Sequence, residues 1–190
     1  MAQNKSSADS LKNVYIADTI SVQGKLDLLT NLAFHTTDNL EESIKYAEEL
    51  ISLANRLNNI EYLLHGYSQK GQTYRMAGDM TEALDAFFKA SEYAQKLEDE
   101  RYLGGGYLTI ADTYSEIENN ENAENYYKKS IAILRRTEDT LTLASAILNS
   151  GYHHYLNDKY DKALLNYEES AKIFTDQNGP AQFSKLYYLR

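Results

Sequence analysis

One repeat constrains this chain more than any other feature: the same pattern of residue types recurs every 40 positions. Segments 78–94, 118–134 and 157–174 align at that interval without a gap. Self-similarity at a fixed period of this length indicates a repeat architecture, in which one structural unit is stacked several times. The repeating columns hold a small residue, an aromatic residue and a second small residue: Ala83, Ala123 and Ala163; Phe87, Tyr127 and Tyr167; Ala90, Ser130 and Ser170.

The spacing within each unit predicts two helices joined by a short turn. Apolar and small residues follow one another at three- and four-residue steps, which places them on one helix face. Gly78 can end the first helix of its unit, and Asp79 stands where a side chain can cap the second. Asp99 and Asp139 occupy the same kind of position before the next first helices. Helices are therefore expected near 60–77, 80–97, 100–117, 120–136, 140–157, 160–176 and 180–190, with earlier ones near 25–38 and 40–59.

Composition supports helices and removes several classes of function. A single proline among 190 residues argues against a turn-rich β fold. The net charge of −9, without a basic cluster, makes nucleic acid an unfavourable partner, because phosphate binding depends on clustered Lys and Arg. The chain has no cysteine, which excludes disulfides and thiolate metal sites. No apolar run approaches the roughly 18 residues of a membrane span, so these residues are not expected to insert into a membrane.

The order small–Tyr–Ala–aromatic–small in residues 71–90 resembles the tetratricopeptide repeat (TPR) family, in a variant with a 40-residue period. The resemblance covers roughly residues 25–190. It implies an all-α fold: a right-handed superhelical TPR solenoid of antiparallel helix pairs. The implied division is a partly disordered leader (1–24), a degenerate capping repeat (25–59), three TPR units (60–99, 100–139 and 140–179) and the first helix of a truncated further repeat (180–190).

Three consecutive glycines, Gly104 to Gly106, raise the question of a phosphate-binding loop. Such a loop requires a preceding strand and, in its commonest form, a following Gly-Lys-Ser/Thr, and neither is predicted here. The repeat instead places the three glycines inside a first helix, where each costs on the order of 1 kcal/mol. Two explanations remain open at this point: the glycines permit close helix packing, or they leave space for the backbone of a ligand.

No catalytic, cofactor or metal motif is present. His153 and His154 are adjacent and point about 100° apart on a helix, so they cannot chelate a metal together as an i,i+4 pair would. His154 stands in a column of core tyrosines, which favours a structural histidine. The sequence therefore predicts a chain that is not an enzyme, binds no cofactor and acts by binding another protein.

The TPR resemblance implies that the first helices line a concave surface that binds a protein or peptide. Tyr155 follows the core column and is expected to point into this groove. Of the basic and amide residues that clamp a terminal carboxylate in some TPR proteins, only Arg75 is present, which argues against such a clamp. The implied groove residues are His65, Ser68, Gln72, Arg75, Leu108, Asp112, Ser115, Leu148, Tyr152 and Tyr155.

The leader, residues 8–35, followed by 40-residue repeats resembles the N-terminal sensory region of bacterial signal-transduction proteins of the histidine kinase or nucleotide cyclase type. That resemblance implies a periplasmic location if a signal peptide was removed. The alternative is a cytoplasmic scaffold or co-chaperone-like adaptor. Because 180–190 repeats a first-helix pattern, the parent protein is expected to continue past Arg190, and self-association through 180–190 is expected otherwise.

Overall fold

Every regular element that the computed structural model describes, over residues 11–15 and 20–178, is an α-helix. A short helical segment at 11–15 precedes the first long helix. The predicted all-α fold class is confirmed; the handedness of the superhelix stays a prediction, and residues 180–190 lie outside the described residues. The long helices are α1 Val22–His35, α2 Leu40–Arg56, α3 Ile60–Ala77, α4 Met80–Lys96, α5 Glu100–Glu116, α6 Asn120–Leu134, α7 Thr140–Leu156 and α8 Tyr160–Asn178.

From α3 onward the helices match the expected bounds to within two residues. The helix α1 differs, because it begins and ends three residues before the expected 25–38. Its start is fixed by Ser21, whose hydroxyl accepts a hydrogen bond from the backbone N–H of Gly24 at 3.1 Å. The helix α6 ends early because the Thr137 hydroxyl donates to the carbonyl of Leu134 at 2.9 Å and closes the last turn.

A left-handed residue followed by an N-cap recurs at intervals of 20 residues or multiples of 20. Gly78 has φ +87° and ends α3 as predicted. Asp99 and Asp139 cap α5 and α7 through their carboxylates, also as predicted. Asp79 occupies the N-cap position of α4, but its side chain makes no capping hydrogen bond, so that expectation was wrong. Outside glycine, positive φ among the described residues is confined to four equivalent junction positions: Asn58, Glu98, Glu118 and Asp158.

The chain divides into two compact units, Met1–Glu98 and Asp99–Arg190. In the first unit each helix from α1 to α4 packs on its neighbours in sequence, and α1 also contacts α3. In the second unit α5 to α8 pack in the same way, and α5 also contacts α7. First helices are thus placed side by side in each unit, which is the arrangement that lets them share one surface.

The repeating small residues lie where paired helices meet. Ala83, Ala123 and Ala163 are all buried, as the columns predict. The second small column adds a polar contact in the second unit: Ser130 donates to the carbonyl of Gly104, and Ser170 to that of Ala144, each at 2.8 Å. The same hydrogen bond thus recurs at the 40-residue interval and fixes the register of each helix pair.

Gly104 gives the glycine run a packing role. A Cβ at Gly104 would lie 2.6 Å from Cγ of the fully buried Leu134, closer than atoms can approach. A Cβ at Gly105 would meet nothing nearer than a methyl group of Thr142 at 3.9 Å. Of the two explanations left open above, close packing accounts for Gly104, whereas Gly105 is not required by the space around it.

Candidate functional site

Six of the ten predicted groove residues lie on two helices that contact each other, α5 and α7 of the second unit. The link between these helices centres on Asp112. Asn149 donates from Nδ2 to both oxygens of the Asp112 carboxylate, at 3.1 and 3.0 Å. Tyr127 on α6 donates its hydroxyl to the same carboxylate at 2.7 Å. Asp112 therefore ties three helices together at the surface where a ligand was predicted.

Ser115 makes the second polar link between α5 and α7. Its hydroxyl oxygen lies 2.9 Å from Nδ1 of His153, which is 1% exposed. Burial lowers the pKa of His153 below its usual value, and the cationic Lys159 lowers it further. Burial likewise lowers the pKa of His154. Both histidines are structural, as predicted for His154, but the contact of Ser115 with His153 was not anticipated.

Tyr152 and Tyr155 form the most exposed part of this surface. They are 56% and 52% exposed, and their rings are stacked with centroids 6.5 Å apart. The orientation predicted for Tyr155, away from the core, is consistent with this exposure. The 17 residues of α7 include no Asp, Glu, Lys or Arg, so the tyrosines stand on an uncharged helix.

The two leucines of the predicted groove are less available than the tyrosines. Leu108 is partly buried and packs against the core cluster of Ala111, Ala123 and Tyr127. Leu148 is also partly buried. In the second unit we define the "first-helix face" by the six residues Leu108, Asp112, Ser115, Leu148, Tyr152 and Tyr155.

The other four predicted groove residues lie on α3 of the first unit, and all four are partly buried. His65 lies with Nε2 3.9 Å from the Glu61 carboxylate, one turn earlier. Arg75 donates to the Gln72 side-chain oxygen at 3.5 Å. Ser68 lies on the same helix. The predicted groove is therefore described in two parts, and a single continuous groove stays a prediction.

The first unit also contains a cleft that the sequence did not indicate, with a volume of about 680 Å³. Its acidic groups already have partners: Lys12 pairs with Glu42 at 2.6 Å, and Tyr15 donates to Glu49 at 2.5 Å. The Lys12 ammonium holds the pKa of Glu42 below its usual value. The cleft is therefore an internally satisfied polar surface. Its lining residues are Tyr15, Asn39, Glu41, Glu42, Lys45, Tyr46 and Glu49.

Two searches of the described residues bear on other kinds of site. They contain no group of three or more His, Cys, Asp or Glu side chains arranged to hold a metal ion. None of the helices described here combines the length and the apolar character that crossing a membrane requires.

The helical repeat and its first-helix face can be compared with known proteins. Residues 37–189, most of the chain, match the model of the SNAP family, the soluble NSF attachment proteins. The chain belongs to the SNAP family. The repeat of this family is TPR-like, so the family-level resemblance predicted from the 40-residue columns is confirmed.

A curated relative and two solved structures show the same type of repeat. The transcriptional activator NprA of Geobacillus stearothermophilus is 25% identical over 149 residues, 77% of this chain and 36% of NprA. The chain thus spans about a third of the length of that relative.

Among solved structures, a signal transduction ATPase with numerous domains from Pyrococcus horikoshii, which has a TPR sensor, superposes with a TM-score of 0.78 at 20% identity, covering 90% of this chain and 27% of that one. A Rap protein complexed with competence and sporulation factor superposes with a TM-score of 0.79 at 16% identity, covering 90% and 49%. At these identities the structural likeness establishes the fold.

Proposed function

We propose that this chain is an interaction module that binds an extended peptide segment of a partner protein on its first-helix face. The observation that carries the proposal is the exposed stack of Tyr152 and Tyr155 on the uncharged helix α7. Tyrosine gives a large contact area at low entropic cost, and its hydroxyl can bond to a peptide backbone. Tyrosine is also enriched among the residues that dominate binding energy at protein interfaces.

The contacts beneath the tyrosines suit a binding surface because they are already formed. Asp112, Asn149 and Tyr127 hold each other by hydrogen bonds, and Ser115 is fixed by His153. A face that is ordered before binding loses less conformational entropy when a ligand arrives. Stacked helix pairs generally present such surfaces for binding rather than for catalysis, and we propose no reaction for these residues.

We further propose that the module is the N-terminal sensory or regulatory region of a larger bacterial signal-transduction protein. Support comes from the relatives: one is a transcriptional activator more than twice as long as the aligned region, and one structure pairs a TPR sensor with a signalling ATPase. An antibody against these residues, used on extracts of the native host, tests this. A band well above 21.7 kDa supports the proposal, and a band at that mass contradicts it.

The binding proposal is tested by selecting ligands from a library of displayed random peptides with the 190-residue protein as bait. The dissociation constant of a selected peptide is then measured by calorimetry for the wild type and for Tyr152→Ala/Tyr155→Ala. Loss of two aromatic contacts at a binding hot spot should weaken binding by about 30-fold or more. The melting temperature should not fall, because both side chains are exposed.

Two further variants locate the site. Leu165→Ala, on the exposed surface of α8, is the matched control and should bind as the wild type does. Gln72→Ala/Arg75→Ala tests the part of the predicted groove that lies on α3 in the first unit. If every selected peptide binds the tyrosine double variant as tightly as the wild type, the first-helix face is not the site.

A further inference from the structure

The helix α7 covers specific positions of the α5–α6 pair, and these contacts can be followed through the repeat. Asn149 meets Asp112, and His153 meets Ser115. Lys159, which directly follows the α7 end, pairs with Glu124 on α6 at 3.1 Å. These contacts define where one helix pair receives the first helix of the next.

Adding the 40-residue period carries these positions onto the last described pair, α7–α8. Asp112, Ser115 and Glu124 become Tyr152, Tyr155 and Leu164, which are 56%, 52% and 58% exposed. The surface that receives a helix in the preceding pair is thus uncovered here. Its chemistry has also changed, because two acids and a serine are replaced by two tyrosines and a leucine. We call Tyr152, Tyr155 and Leu164 the "terminal face".

The burial of the aromatic column agrees with an uncovered face. Tyr127 on α6 is only 3% exposed, whereas its equivalent on α8, Tyr167, is only partly buried. Tyr167 lies close enough to Tyr152 and Tyr155 for the three hydroxyls to influence one another: burial raises its pKa first, and the two neighbours add to the rise. The terminal face is therefore one contiguous aromatic surface.

The segment 180–190 of the same chain carries the matching change. The period places Leu189 in the column of Asn149, the residue that contacts Asp112. The polar pair Asp112–Asn149 thus becomes the apolar pair Tyr152–Leu189, so both partners change character together. Pro180 falls in the column of Thr140, the first residue of α7, which is the helix position that proline favours.

From this joint change we propose that residues 180–190 bind the terminal face as a helix, in the register in which α7 binds α5–α6, with Leu189 on Tyr152. The occupant is this segment rather than a second copy, because Asn178 already ends α8 at the edge of the face and the segment follows it directly. Tyr152 can serve here and in the first-helix face at once, as Asp112 does: it contacts the next first helix and stays partly accessible.

The absence of cysteine from the chain makes a crosslinking test clean. Tyr152→Cys/Leu189→Cys is treated with a short bismaleimide, and the linked peptides are identified by mass spectrometry. Asp112→Cys/Asn149→Cys is the benchmark, since those side chains touch. Tyr152→Cys/Ala181→Cys is the matched control, because position 181 would lie about 12 Å along the helix from 189.

The proposal expects an intramolecular link in the 152/189 pair at a rate near the benchmark and at least tenfold above the control. Links between two molecules would mean that a second copy covers the face, and a rate equal to the control would mean that the segment does not bind there; either result overturns the proposal. Hydrogen exchange on the unmodified chain gives a second readout. Amides of 183–190 should be protected, and Leu189→Asp should remove that protection; unprotected amides in the wild type would also overturn it. Neither readout depends on a peptide ligand, so the test is independent of the proposed function.

Discussion

Ser115 and His153, on neighbouring first helices, meet through a hydroxyl oxygen and Nδ1 that lie 2.9 Å apart. The other ring nitrogen of His153 has no hydrogen-bond partner among the described residues. Protonation would therefore place a charge in a buried site that offers it one neutral partner. Burial lowers the pKa of His153, Lys159 lowers it further, and only Glu124 raises it.

We expect the contact to make the protein sensitive to acid. The folded-state pKa values of His153 and His154 lie below their unfolded values, so the unfolded chain takes up protons first as the pH falls. Stability is fully present above pH about 6.5 and declines below it, by up to about 1.4 kcal/mol per pH unit for each such proton. Urea unfolding between neutral pH and pH about 5 measures this.

The matched variants separate this effect from general destabilisation. His153→Gln removes the titrating group, so the free energy of unfolding should vary less steeply with pH, whatever its value at neutral pH. His65→Gln, at a partly exposed histidine, should keep the wild-type slope. A His153→Gln protein with an unchanged slope would contradict the account.

The glycine run allows a comparison between adjacent residues. Gly104→Ala places a Cβ against Leu134 and should destabilise the protein, since overpacking costs about 1–3 kcal/mol. Gly105→Ala meets only ordinary contact and should gain about 1 kcal/mol from helix propensity. Chemical denaturation of both variants checks the prediction, which fails if Gly104→Ala is the more stable of the two.

The junction residues give a second matched set. Glu98 and Glu118 adopt φ of +55° and +58°, a conformation that glycine adopts more readily. Replacing either by glycine should therefore raise the free energy of unfolding by about 1 kcal/mol. Glu138 occupies the equivalent position without positive φ, so Glu138→Gly should bring no gain. Equal effects at all three positions in thermal unfolding would argue against strain at these junctions.

The small columns predict a difference between two alanines of α6. Ala123 is fully buried at the helix contact, and Ala132 is exposed. Ala123→Leu should overpack the contact and cost about 1–3 kcal/mol. Ala132→Leu adds the same side chain to the solvent face and should leave stability within about 0.5 kcal/mol of the wild type. Thermal denaturation of the two variants decides whether the small column is a packing requirement.

The helix bounds were predictable from the sequence because their causes are local and repeated. The acids at 99 and 139 cap helices in the same way, and the three alanine columns report the same buried contact. The pairs across helices were not predictable. A column states how deep a residue lies within its unit but does not name its partner on the next helix. His153 shares its column with Thr73 and Thr113, so nothing in the pattern singled out its contact with Ser115.

The even spacing of the left-handed junction residues, at 58, 78, 98, 118 and 158, has a genetic consequence. A stretch of DNA that encodes the residues between alternate junctions encodes one helix pair whose two ends match the ends of its neighbours. Recombination between such stretches can duplicate or delete a whole pair and leave every cap in phase. A change of half that length would instead put a second helix where a first helix belongs. Inheritance can therefore lengthen or shorten arrays of this kind in steps of 40 residues, and selection is expected to remove the intermediate lengths.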